Sequence, residues 1–235
     1  MQLPKIFKEA DWERLGKPED ITDHIGKPYI SYSQLKSFLE RREDWITNYL
    51  MCKRPSNIWM EFGSEVGKYV ELCGKVNFKD FTHLTPEGVK DIQLFDDSHE
   101  FEKPVYFFID VSGHKVLIFG FIDVYKQGEV LIDIKTGNAK SMLKNYGGSN
   151  YMQTRLYLYA LDDMISPLPK FVGVKGLPRI GRGSKASPLL IKGKTLTIPT
   201  DYERKQVEEY LEEIVKPAII EMEKYYLVYK KIVDE

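Results

Sequence analysis

Apolar residues crowd three consecutive stretches in the middle of the chain, PVYFFIDV, KVLIFGFIDVY and EVLIDIKT, separated by SGH and KQG. Their β-branched and aromatic content and the turn residues between them predict three sequential strands. Upstream the period is helical. In SYSQLKSFLERREDWITNYL, residues Leu35, Phe38, Leu39, Trp45, Ile46, Tyr49 and Leu50 recur on one face, and Ser31 or Ser33 can cap the start. A second helix is predicted within EFGSEVGKYVELCGK, weakened by Gly63 and Gly67. Residues 76–100 show little period beyond a short helix near EGVKDIQLF.

After the third strand the pattern predicts a loop with Gly137, Gly147 and Gly148, then a helix in YMQTRLYLYALDDM and a strand in FVGVKGL. A basic loop, RIGRGSKAS, leads to one or two edge strands in PLLIKGKTLTIP. The segment from Asp201 to Val233 is helical by pattern, with a kink expected at Pro217. This order predicts an α/β (α+β mixed) fold, a central mixed sheet flanked by helices, as one domain over 30–235. Residues 1–29 are polar, broken by Pro18 and Pro28, and read as a lead-in.

At 235 residues and 43% apolar content the chain can bury one sizeable core. It has no apolar run of membrane-spanning length and no signal-peptide order at its start, so a cytoplasmic location is expected, with no membrane partner. Two cysteines, Cys52 and Cys73, are too few for a disulfide framework or a four-cysteine metal site. Net charge is −1, but residues 134–200 carry 11 basic groups against Asp162 and Asp163, a net of +9. A block of that sign suits a phosphate backbone, and equally a solvated lysine-rich loop region.

The strands GFIDVY and VLIDIKTG hold carboxylates where a core favours valine. Asp133 and Lys135 share one face of their strand. A three-residue loop pairing Lys126 with Val130 sets Asp123 opposite Asp133, whereas a two-residue loop puts it on the other face. Two converging carboxylates repel, and a divalent cation relieves that repulsion. The ligands available are hard oxygens, the Ile134 carbonyl among them, which favours Mg2+ or Mn2+ over zinc. A lysine beside such a cation can position water and stabilise charge on a phosphoryl group. A plain surface salt bridge fits the hairpin equally well.

The order Gly120-Phe121-Ile122-Asp123, Asp133-Ile134-Lys135-Thr136-Gly137, then Gln153 and Tyr157 in QTRLY, resembles the PD-(D/E)XK nuclease superfamily, in its RecB-like branch. That branch includes phage recombination exonucleases and CRISPR adaptation nucleases. The resemblance spans roughly residues 30–175 and extends to the SYSQL helix start. It implies a restriction-endonuclease-like sheet and a Mg2+- or Mn2+-dependent deoxyribonuclease, most simply an exonuclease processing DNA ends in recombination, repair or replication. It further implies metal ligation by Asp123, Asp133 and Ile134 with Glu102 or Glu71 assisting, water handling by Lys135, and substrate positioning by Gln153 and Tyr157.

Two departures stand out. The branch commonly has G-x-x-x-H-x-x-x-E on its second helix, with the histidine on metal; here Gly63 and Glu71 match, but Gly67 replaces the histidine. Either Glu71 helps the metal site, or the site is weaker or relies on one metal. No cysteine follows Cys73, so no iron–sulfur cluster is expected. Lys140, Lys144, Arg155, Arg179, Arg182 and Lys185 are candidate phosphate contacts, and Tyr146 and Tyr151 are candidates for stacking or for the core. DNA is the expected partner, with a recombination or replication protein and a homo-oligomer as further expectations. The alternatives are a DNA-binding module that has lost efficient cleavage and an endonuclease of the same fold.

Overall fold

The Ser31 hydroxyl accepts the Gln34 N–H at 3.3 Å and opens helix α1 (Tyr32–Glu40), as the serine pattern predicts. In this computed structural model, which describes residues 29–234 except 52, 54, 55, 93, 149, 150, 163, 164 and 166, that helix stops early. Arg41 leaves helical geometry (φ −149°, ψ 75°), and α2 (Arg42–Trp45) starts anew and widens into a π turn, Ile46–Leu50. The single helix expected over 31–50 is therefore two. The predicted lead-in lies outside the described residues except for Tyr29.

The hydrophobic strand runs become β1 (Glu100–Val111), β2 (His114–Lys126) and β3 (Val130–Gly137). Strand β4 (Phe171–Ile180) extends past the predicted FVGVKGL, and β5 (Leu190–Ile191) and β6 (Leu196–Pro199) are the two short edge strands. They form a six-stranded mixed sheet in the order β1-β2-β3-β4-β5, with β6 also pairing with β4. β2 and β3 are antiparallel, while β3 and β4 are parallel with Asp133 beside Val174 and Gly137 beside Pro178. The parallel step requires a crossover, which the two helices between them supply.

Helix α3 (Ile58–Glu71) is capped by Asn57, whose Oδ1 accepts from the N–H groups of Trp59 and Met60 at 3.0 and 3.1 Å. Its Phe62, Val66 and Val70 join Leu177, Leu189 and Ile191 in a buried cluster, against which Ile134 packs. A short helix, α4 (Pro86–Val89), matches the one expected near EGVKDIQLF. The glycine-marked loop after β3 instead contains α5 (Ala139–Tyr146), capped by Asn138 and ending at Gly147. Its buried Met142 lies where Cβ atoms at Gly137 and Gly176 would come within 3.2 and 3.1 Å, so those glycines let α5 sit tightly on the sheet. Helix α6 (Gln153–Asp162) follows.

The C-terminal helix is interrupted as Pro217 predicts, but by a π turn rather than a sharp kink. Between α7 (Arg204–Tyr210) and α8 (Lys216–Asp234), residues Leu211–Val215 widen, and the Lys216 N–H reaches back five residues to the Leu211 carbonyl. Proline has no N–H and crowds the carbonyl four residues earlier, and the wider turn accommodates it.

The described residues fall into two compact units. One takes those before Ser56, Pro104–Gly120 and those from Glu203 on; the other takes Ser56–Lys103 and Phe121–Tyr202. In the first, Phe38, Trp45 and Tyr225 meet edge to face, and Arg42 pairs with Glu221 at 2.7 Å. Among the described residues no helix is long and apolar enough to cross a membrane.

Candidate active site

The register of the β2–β3 hairpin determines the site. Lys126 pairs with Val130, Tyr125 with Leu131 and Val124 with Ile132, leaving the three-residue loop Gln127-Gly128-Glu129. Gly128 adopts φ +70°, a conformation that a side chain would strain, and the Glu129 N–H closes the loop on the Lys126 carbonyl at 3.0 Å. One further step of this register sets Asp123 across from Asp133. There Asp123 Oδ2 accepts the Ile134 N–H at 2.5 Å.

Asp133 is fully buried, an expensive position for a carboxylate unless it is paired and hydrogen-bonded. Lys135 Nζ lies 2.7 Å from Asp133 Oδ1 and 2.7 Å from Oδ2, so the ion pair spans both oxygens. The Tyr151 hydroxyl donates to Asp133 Oδ2 at 2.8 Å. Tyr151 is also 2.8 Å from the Gln153 side-chain amide, and that amide is 2.8 Å from the Tyr157 hydroxyl. One phenolic proton cannot serve both Asp133 and an amide oxygen. The chain is consistent when Gln153 Nε2 donates to Tyr151 and Gln153 Oε1 accepts from Tyr157, so that each of these protons has one acceptor. Asp133 thus terminates a relay through Tyr151, Gln153 and Tyr157.

Electrostatics follow from this crowding. Asp123 keeps part of its surface open, yet enclosure first and the neighbouring Asp133 second push its carboxyl up to about 7, against the pull of Lys135. Glu102 adds a smaller push from β1, where its backbone takes the left-handed φ of +50°. Burial draws the Lys135 ammonium down, but the charges of Asp133 and Asp123 outweigh it and hold the ammonium above its usual range. Burial likewise raises the Tyr157 phenol well above the ordinary value.

Asp123, Asp133, Lys135, the Ile134 backbone, Gln153 and Tyr157 are therefore brought together. Glu71 is not among them: it pairs with Lys68 at 2.9 Å. Among the described residues no group of three or more His, Cys, Asp or Glu side chains forms a metal cluster. Arg155 corrects the phosphate-contact expectation. It is 4% exposed, and its guanidinium donates to the Asp201 carbonyl at 2.7 Å and the Tyr151 carbonyl at 3.3 Å, so it braces α6 from inside. Lys140, Lys144, Arg182 and Lys185 are exposed, Arg179 is half-buried, and none of the five has a carboxylate partner among the described residues. Tyr151 is the residue whose role the sequence hid. Its place two residues before Gln153 was the available signal, and only the fold turns its hydroxyl onto Asp133.

No family model matches the chain, and no curated protein matches it. Among solved structures, the protein SSO0001 is similar at 16% identity and a TM-score of 0.35, over 88% of this chain and 83% of that one. A protein of Eubacterium rectale named "Putative exonuclease" is similar at 13% identity and a TM-score of 0.42, over 98% of this chain and 88% of that one. Likenesses this distant carry no argument about activity.

Proposed function

We propose that this chain is a Mg2+- or Mn2+-dependent deoxyribonuclease of the PD-(D/E)XK, RecB-like type, acting on DNA ends. The observation that carries the reading is the Lys126–Val130 register, with Asp123 and Asp133 facing each other and Lys135 paired to Asp133. The residues present suit a hard cation: Asp123, Asp133 and the Ile134 carbonyl are all oxygen donors, and burial first and repulsion from Asp133 second raise the Asp123 carboxyl to about 7, a cost to its charge that a cation would relieve. Glu102 would add negative charge. When bound, such a cation polarises a phosphoryl oxygen and makes its water more acidic.

The protein groups supply orientation and charge. Lys135, held as an ammonium, would donate to the attacking water or to a phosphoryl oxygen as charge builds on it. Tyr151 fixes the Asp133 carboxylate, and Gln153 and Tyr157 hold Tyr151 in line. Lys140, Lys144, Arg179, Arg182 and Lys185 would carry the phosphate contacts and make binding steeply dependent on salt.

A DNA-binding module with weak cleavage is the second reading, and Gly67 favours it. A Cβ there would meet nothing within 4 Å, so the position where related nucleases hold a histidine ligand is empty of side chain. One assay separates the readings: linear and closed-circular DNA, single- and double-stranded, incubated with Mg2+ or Mn2+ and with Lys135→Ala as control. Loss of linear DNA alone marks an exonuclease, and loss of circles as well an endonuclease. DNA that is bound but never cut would leave the binding module.

A further inference from the structure

Trp59 stands on the first turn of α3 with 39% of its surface exposed, although it is the kind of side chain a fold normally covers. Its backbone is fixed, because Asn57 Oδ1 takes the N–H groups of both Trp59 and Met60. The Arg179 guanidinium lies over its ring, 4.1 Å from the centroid, and 39% of the residue's surface is still exposed with that face covered. The Arg179 side chain has no hydrogen bond or carboxylate partner among the described residues. A half-buried cation without an anion is unusual, and one held over an aromatic ring still has its N–H donors to offer.

The surroundings have the same character. The basic loop after β4 docks on this helix start: a Cβ at Gly183 would come within 2.9 Å of the Ile58 side chain, so the loop that carries Arg182 and Lys185 touches the residue before Trp59. Along the sheet, Arg179 follows Pro178, the partner of Gly137 at the end of β3. One helical turn past Trp59, Gly63 approaches Thr136, a Cβ there lying 3.5 Å from the threonine hydroxyl. Arg179 therefore sits near the C-terminal ends of β3 and β4, three strand residues beyond the level of Lys135, on the α3 face of the sheet that Ile134 and Leu177 share, while the Lys135 side chain takes the other face.

We infer that Trp59 and Arg179 form a stacking platform for an unpaired base of single-stranded DNA, with Arg179 and the 182–185 loop holding the flanking phosphates. The inference rests on the nucleic-acid reading of the neighbouring site, but not on cleavage there. An indole stacks on any base, so the platform selects unpaired over paired DNA rather than one sequence. A duplex hides its base faces and would meet only the cations.

Fluorescence anisotropy in EDTA tests binding with hydrolysis blocked. The probes are a labelled oligothymidylate, the same backbone with abasic sites, and a blunt duplex. Trp59→Ala is expected to weaken oligothymidylate binding roughly tenfold, with the duplex unchanged and Trp59→Phe close to the parent. The parent should bind the abasic strand about as weakly as Trp59→Ala binds oligothymidylate. Oligothymidylate should quench indole fluorescence in the parent but not in Trp59→Phe, which still binds and so reports on the ring and not on folding. Equal binding of oligothymidylate by Trp59→Ala and the parent, an equal loss for the duplex, or no DNA binding by the parent overturns the platform. Failure of the parent to cut DNA under Mg2+ or Mn2+, with the Trp59 effect intact, would overturn only the nuclease reading.

Discussion

Neighbouring residues of β3 are equally buried for opposite reasons. Ile132 is 1% exposed and Asp133 is fully buried, and they point to opposite faces of the strand. On the Ile132 side, burial is itself stabilising, since removing apolar surface from water is favourable. On the Asp133 side, burial costs free energy that Lys135 and Tyr151 have to offset. The first face is therefore tolerant in identity and sensitive in volume. The second is tolerant of neither, because each partner removed leaves another polar group stranded. An arrangement so dependent on partners fits a site, whereas a merely structural face would use apolar residues.

Breaking the polar face has the largest expected effect. Lys135→Ala should reduce DNA cleavage at least about a hundredfold in an end-labelled substrate assay. It should also cost about 3 kcal/mol in urea unfolding, because Asp133 is left buried and unpaired. Asp133→Asn with Lys135→Met should regain much of that stability and none of the activity. A double variant that cleaves would show that the pair serves the fold alone.

Breaking the apolar face gives the converse. Ile132→Ala should cost about 2–5 kcal/mol through the cavity it opens, with cleavage per folded molecule unchanged. A smaller effect is expected from Tyr151→Phe, which keeps the packing but removes the proton given to Asp133. Its stability should fall by about 1–3 kcal/mol and its cleavage by roughly tenfold, with Gln153→Leu giving a similar loss if the relay is intact.

The pH dependence sharpens the contrast most gently. A carboxyl ionises near 3.9 in the unfolded chain, whereas Asp123 in the fold holds its proton to about 7. Between these values the native state binds the extra proton, so this group's contribution to stability falls as pH rises from about 4 and levels off above about 7. Urea unfolding in EDTA across that range should show the decline, flattened in Asp123→Asn. Cation uptake needs the carboxylate, so Mg2+ or Mn2+ affinity by calorimetry should rise as pH passes through about 7, with proton release.

Much of this was legible in the residues. The three strands, the terminal helix and the shared face of Asp133 and Lys135 follow from period alone. The Pro217 interruption follows from one missing N–H. Helix α5 was missed because Gly137 and Gly147 read as loop markers, yet they bracket it: Asn138 caps its start and Gly147 follows its end. The charge of Arg155 suggested a surface role, and the carbonyls that claim it lie at Tyr151 and Asp201, the latter 46 residues away. His83 and His99 are mostly covered, with side chains 16% and 14% exposed beside Glu61 and Asp96, a burial that their polar type does not announce.

The sequence by itself determined which residues could carry the chemistry, because side-chain period and ligand type are local properties. The tertiary structure decided which of them meet. The loop about Gly128 chose the register that sets Asp123 across from Asp133, since a shift of one residue would have turned Asp123 to the other face. Only the crossover between β3 and β4 could bring the Tyr151 hydroxyl to a carboxylate 18 residues earlier. Such contacts arise from chain path and not from pattern, so no local signal in the sequence encodes them.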